Sequence, residues 1–198
     1  VLRLSSSGVA GSGAVNRALY AYLERDNAFT GELPGSAYKA AKDGGKAERR
    51  SPLLLEKPFS FSIEYRLRPP PGYVLDELPE ARHIKAGPAV YKEEAQELAG
   101  GELRLLFSFD SGSGLFSPAE YAALYKGLSG IYAEGSLRVT FSSKGETALA
   151  EGRYRDALAE FQALRSAHPG HPLHERQVAR VYAQMGLRGA ARELAAKA

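Results

Sequence analysis

"EGRYRDALAEFQALRSAHPGHP", residues 151–172, decides how the chain is read. Gly152, Tyr154, Ala157, Leu158, Phe161 and Leu164 fall on one stripe at helical spacing, and the run closes at Pro169. A lone amphipathic helix would leave a catalytic pocket to be sought elsewhere. One unit of a repeat points to a binding surface instead. When the sequence is laid against itself with Gly145 on Ala179, Gly152 falls on Gly186, Ala157 on Ala191 and Phe161 on Ala195. Small residues return where two helices must approach closely, and glycine returns at the turn between them.

Helix-turn-helix units with this period resemble the tetratricopeptide repeat. Gly145, Gly152, Ala157, Phe161 and Pro169 carry the likeness in the first unit, and Ala179, Tyr182, Gly186 and Ala191 in the second. Phe141 stands where the family often has Trp, and Lys144 takes a position that is usually apolar. The first helix is therefore expected to be short and to start near Ser143. The second unit stops at Ala198, inside its second helix. A plain amphipathic hairpin is the alternative.

Upstream the period changes from helical to two. Phe59, Phe61, Ile63, Tyr65 and Leu67 alternate with Ser60, Ser62, Glu64, Arg66 and Arg68, the pattern of a strand with one buried and one wet face. "PPPGY" (69–73) ends it. Residues 89–97 and 102–110 read as two strands around a Gly-Gly turn. Ser117, Pro118 and Glu120 form a capping box ahead of a helix whose stripe is Tyr121, Leu124, Tyr125, Leu128 and Ile131. "SLRVTF", 136–141, returns to strand. "AVNRALYAYLER", 14–25, reads as a helix with Leu19, Tyr22 and Leu23 on one face, a strand being the other option. The rest of 1–50 reads mainly as loop.

The expected fold class is α+β. An antiparallel β-sandwich-like domain with a packed helix spans 1–142, with 1–50 loop-rich. Tetratricopeptide-type hairpins, about one and a half units, span 143–198.

Bulk properties bound the function. Of 198 residues, 44% are hydrophobic and 25% charged, enough for a packed core. A net charge of +3 is too mild to argue for nucleic acid, and "KAAKDGGKAERR" (39–50), with acids interleaved, reads as a solvated loop. The absence of cysteine removes disulfides, thiolate metal sites and any cysteine nucleophile. No run of 18 apolar residues is present. The chain begins with Val and shows no signal peptide, so it reads as a piece of something longer.

"PFSFSIEYRLRPPPGYVLDELPE" (58–80) adds a second resemblance. Pro71, Gly72, Tyr73, Leu78 and Pro79, with Pro118, Glu120 and Tyr121 further on, resemble the β module of unknown function that follows the catalytic core in bacterial transglutaminase-like proteins. The likeness covers roughly 50–142. It implies an accessory region of such a protein, one that often ends in tetratricopeptide repeats, with a periplasmic or cell-envelope setting. An active core in that family would use Cys, His and Asp. This chain has no cysteine, so no catalytic role carries over.

The remaining motifs offer no catalytic set. His168, His171 and His174 recur every three residues, but Pro169, Gly170 and Pro172 break the helix that would align them, and they read as the loop between units. "GVAGSG" lacks the dinucleotide pattern, and no P-loop or G-x-S-x-G elbow occurs. Glu93, Glu94 and Glu97 read as charges that keep a strand edge soluble. Tyr73, Tyr91 and Tyr132 are candidates to stack on a sugar, though the core or rim reading is favoured for each. The expectation is a non-enzymatic chain without cofactor or metal that binds a protein partner through its helical repeats. Arg176, Gln177 and Arg180 are the candidate contacts, exposed on the first helix of the second unit. A carbohydrate- or envelope-binding β module, with the helices as a cap, is the alternative.

Overall fold

The structure is a computed structural model, and it describes residues 18–25 and 50–196, the side chain of Tyr132 excepted. The chain divides into two compact units. Among the described residues, the first unit takes 21–25, 50–67 and 77–139, and the second takes 18–20, 68–76 and 140–196. The fold is α+β with antiparallel strand pairing.

The strands are β1 (Ala18–Leu23), β2 (Leu53–Leu54), β3 (Ser60–Leu67), β4 (Tyr73–Leu75), β5 (Arg82–Ala86), β6 (Ala89–Glu97), β7 (Leu103–Asp110), β8 (Leu115–Phe116) and β9 (Leu137–Ser143). The helices are α1 (Pro118–Glu134), α2 (Lys144–Ala150), α3 (Tyr154–Ala167), α4 (Pro172–Gln184) and α5 (Arg188–Ala195).

The first unit is built on a four-stranded sheet ordered β3-β7-β6-β5. Its register explains the period-two pattern. Phe61, Phe109, Tyr91 and Ile84 form one row across the strands, and Ile63, Phe107, Glu93 and Arg82 the next. Tyr91, Phe107 and Phe109 are fully buried on this face. The opposite face carries Ser60, Asp110, Val90 and Lys85 in one row and Ser62, Ser108, Lys92 and His83 in the next. Helix α1 starts at the expected box: Ser117 Oγ accepts from Glu120 N–H (3.3 Å), and Glu120 accepts from Ser117 N–H (2.8 Å). Its stripe of Tyr121, Leu124, Leu128 and Ile131 is buried.

Two segments differ from the sequence reading. Residues 18–23 form a strand, not a helix. Tyr20 and Tyr22 face out while Leu23 is buried, so the residues alternate, and aromatic side chains fit a half-buried pleated surface better than a helix. The acids of β6 divide: Glu93 guards no edge, because β6 is paired there with both β5 and β7, whereas Glu94 and Glu97 lie beyond the β5 pairing, beside β7 alone among the described residues, and are exposed. Glu93 is only 6% exposed, accepting from Tyr91 O–H (2.9 Å) and pairing with Arg25 (3.4 Å), which is itself 6% exposed and reaches Glu134 (3.0 Å). Arg82 also holds Glu134, at 2.7 Å, and this contact keeps the Glu134 carboxyl below its usual range. The loop readings for 1–17 and 27–49 lie outside the described residues.

In the second unit β4 pairs antiparallel with the end of β9. Ser143 caps α2, accepting from Glu146 N–H. Four backbone hydrogen bonds then recur with the shift seen in the sequence. Glu151→Thr147 returns as Met185→Val181, Gly152→Leu149 as Gly186→Ala183, Arg153→Ala148 as Leu187→Tyr182, and Ala157→Arg153 as Ala191→Leu187. Gly152 and Gly186 sit at φ 75° and 82°, the left-handed region that glycine enters without a Cβ penalty. The core between the helices is Ala148, Ala157, Phe161, Val178 and Val181, flanked by Leu149, Tyr154, Leu158, Leu164, Tyr182 and Leu194.

Candidate functional site

The face shared by α2 and α4 is the first candidate. Residues 146 and 180 are related by the same shift as the recurring hydrogen bonds, and their side chains form an ion pair: Arg180 Nη2 donates to Glu146 Oε2. Glu146 is only 3% exposed, whereas 38% of the Arg180 side chain remains in water. Among the described residues, the other carboxylate oxygen, Glu146 Oε1, is buried without a hydrogen-bond partner. Burial raises the Tyr73 phenol above its ordinary value, and the nearby Glu146 charge pushes it further the same way.

An open pocket of about 630 Å³ adjoins this pair. Glu146, Leu149 and Ala150 line it from α2, and Arg180 and Gln184 from α4. Glu151, Gly152 and Tyr154 complete the wall. The surface offers one fixed guanidinium, a carboxylate rim at Glu151 held by Arg153 (2.6 Å), and an apolar strip. Such a mixture suits an adaptable polypeptide contact.

Of the three predicted contact residues, Arg176 is exposed as expected. Arg180 lines the pocket, but committed to Glu146 rather than to solvent. Gln177 is not available. It is 5% exposed, and its Oε1 bonds His174 Nδ1 at 3.0 Å. Helical periodicity places residue 177 next to Val178 at the buried margin, and that local hydrogen bond satisfies its amide oxygen there. Glu146 was not singled out from sequence, although the shift that pairs 145 with 179 also pairs 146 with 180. Of the tyrosines considered for stacking on a sugar, Tyr91 is buried in the sheet and closed to one.

The three histidines do come together, with ring centroids 4.9 Å (His171–His174) and 5.7 Å (His168–His174) apart. One nitrogen each of His171 and His174 has a local hydrogen-bond partner. His171 Nδ1 caps α4 by accepting from Leu173 N–H, and His174 Nδ1 is bound to Gln177. Among the described residues, no group of three or more His, Asp or Glu side chains is placed to hold a metal ion. No helix among them is long and apolar enough to cross a membrane.

Compared with known protein families, residues 27–141 match a domain of unknown function, DUF3858. That is more than half of the sequence. The chain belongs to the DUF3858 family. No curated protein and no solved structure matches it. The matched region takes in the four-stranded sheet and α1 and ends within β9, so α2–α5 lie beyond it.

Proposed function

We propose that this chain is a non-catalytic accessory region of a larger bacterial transglutaminase-like protein, and that it acts as a protein-interaction scaffold. In this reading the DUF3858 region is a β-sandwich-like module, and α2–α5 are tetratricopeptide-type hairpins that present the α2/α4 face to a partner. One observation carries the proposal: the four backbone hydrogen bonds and two left-handed glycines that recur at one constant shift. Stacked units of this kind expose a surface lined by the first helix of each unit, and here those helices hold Glu146, Arg180 and Gln184.

Photo-crosslinking in cells that make the parent protein tests the reading. A crosslinking residue at Gln184 should give a discrete protein adduct, and one at Lys126 on α1 should not. Arg176→Glu should weaken that adduct without moving the Tm, because Arg176 is exposed. Equal adducts from both positions, or none, sink the scaffold. The purified chain should also lack amide, ester and glycoside cleavage. Robust turnover abolished by one substitution within the chain would make it an enzyme.

A further inference from the structure

The face of the β3-β7-β6-β5 sheet opposite Tyr91, Phe107 and Phe109, open among the described residues, lies wholly in the first unit and carries a polarity of its own. A cavity of about 590 Å³ lies over Ser60, Ser62, His83, Lys85, Lys92, Ser108 and Asp110. Lys85 is opposite Val90 and His83 is opposite Lys92, so the two lysines are diagonal neighbours, about 7–8 Å apart at the backbone. Both lysines and His83 are exposed. Among the described residues neither lysine has an ion-pair partner. Further along the same face the charges neutralise one another: Glu64 is clamped by Arg66 (2.7 Å) and Arg104 (2.8 Å), and both contacts hold its carboxyl below the usual range.

The cationic end sits on β5 and β6. The other end, on β3 and β7, is made of Ser60, Ser62 and Ser108 hydroxyls and the Asp110 carboxylate. Three strand spacings of about 4.8 Å set the whole row at roughly 14 Å. A ligand complementary to this face needs an anion at one end and hydroxyl donors at the other. It must also be flat enough to lie on a pleated floor. We propose that this sheet face binds an acidic saccharide, its carboxylate set between Lys85, Lys92 and His83 and its ring hydroxyls on Ser62, Ser108 and Asp110. An acidic peptide would meet the lysines equally well, but its run of carboxylates would also face the Asp110 carboxylate at the other end, and like charges there repel. The saccharide is the better match.

Titration calorimetry and amide chemical shifts on the purified chain test the site. The probes are a galacturonic acid hexamer, the disaccharide of N-acetylglucosamine and N-acetylmuramic acid, the fully methyl-esterified hexamer, and hexaglutamate. At least one acidic saccharide should bind with a Kd of about 100 μM or tighter, shifting amides in 60–62, 83–92 and 108–110. The neutral ester and hexaglutamate should bind at least about tenfold more weakly, and binding should weaken with salt. Lys85→Gln with Lys92→Gln should lose about tenfold or more, and Ser62→Ala with Ser108→Ala several-fold, all at unchanged Tm because these side chains are at the surface. The proposal is overturned by failure of both acidic saccharides, by shifts confined to other residues, or by ester or hexaglutamate binding as tightly. Loss of the Gln184 crosslink would leave it untouched, since that reading concerns the other unit.

Discussion

Arg180→Gln should destabilise the helical unit by about 2 kcal/mol, a value between those of buried and exposed ion pairs. The figure follows from the asymmetry of the pair: Glu146 is 3% exposed, while Arg180 keeps 38% of its side chain in water. Removing one partner of a fully buried pair costs about 3–5 kcal/mol, because the remaining charge is left without compensation. Solvent at the arginine end reduces that toward the lower values of exposed pairs. Glu146→Gln should cost less, about 1 kcal/mol, since the freed guanidinium can turn to water. The double variant, in which two amides face each other, should lie about 1 kcal/mol below wild type, giving a coupling of about 2 kcal/mol. Urea unfolding at pH 7 reads all four proteins, and about 2 kcal/mol should move the midpoint by about 1 M. Arg176→Gln, on the same helix but exposed, is the control and should stay within about 0.5 kcal/mol. An Arg180→Gln loss under about 0.5 kcal/mol, or strict additivity in the cycle, would refute the pair as a structural tie between α2 and α4. The same geometry warns against Arg180→Glu in binding studies, because it would set two carboxylates against each other at a buried site.

Two glycines should respond in opposite senses. At Gly145 an added Cβ would run into the Phe161 ring inside the core, 2.7 Å from Cζ, 2.8 Å from Cδ1 and closer still to Cε1, so Gly145→Ala should cost about 1–2 kcal/mol after its helix-propensity gain. At Gly189 nothing lies within 4 Å, and Gly189→Ala should stabilise by about 0.5–1 kcal/mol in thermal melts; equal signs would contradict the packing. Arg25→Met should lower stability by about 3 kcal/mol by stranding Glu93, and adding Glu93→Gln should restore part of it; no rescue in the double variant would mean that the buried charge is not the cause. Burial holds the Tyr91 phenol well above its ordinary 10.0, with the Glu93 charge and hydrogen bond adding to it. Its contribution to stability is thus complete below about pH 10 and lost as pH rises beyond, because the unfolded chain then binds fewer protons than the folded one. Denaturation midpoints at pH 8 and 11 should fall less steeply in Tyr91→Phe than in wild type, and identical slopes would remove Tyr91 from the account.

Local periodicity was enough to read much of this protein. Alternation over 59–67 and 103–109 marked β3 and β7, because a half-buried sheet repeats every two residues. Ser117 and Glu120 marked the start of α1 because capping chemistry acts within one turn. The self-alignment anticipated the recurrence of Gly152 at Gly186 and of Ala157 at Ala191, since helical packing asks for the same small residues at each crossing. The short strands β2, β4, β5 and β8 were not read, because so few residues carry too little periodicity to stand out from loop.

What the partners of a charge would be was settled only in three dimensions. Glu93 has the local pattern of an edge acid, yet β6 is an inner strand, and Arg25, distant in sequence, compensates it. Arg180 has the pattern of a free helical cation, yet α2 brings a buried carboxylate to it. Gln177 sits one residue from an exposed arginine, and the rotation of α4 against the core turned it inward. Hydrophobic period is a property of the chain itself and survives in the sequence. The pairing of charges depends on which strands and helices become neighbours, and that is decided only when the layers pack.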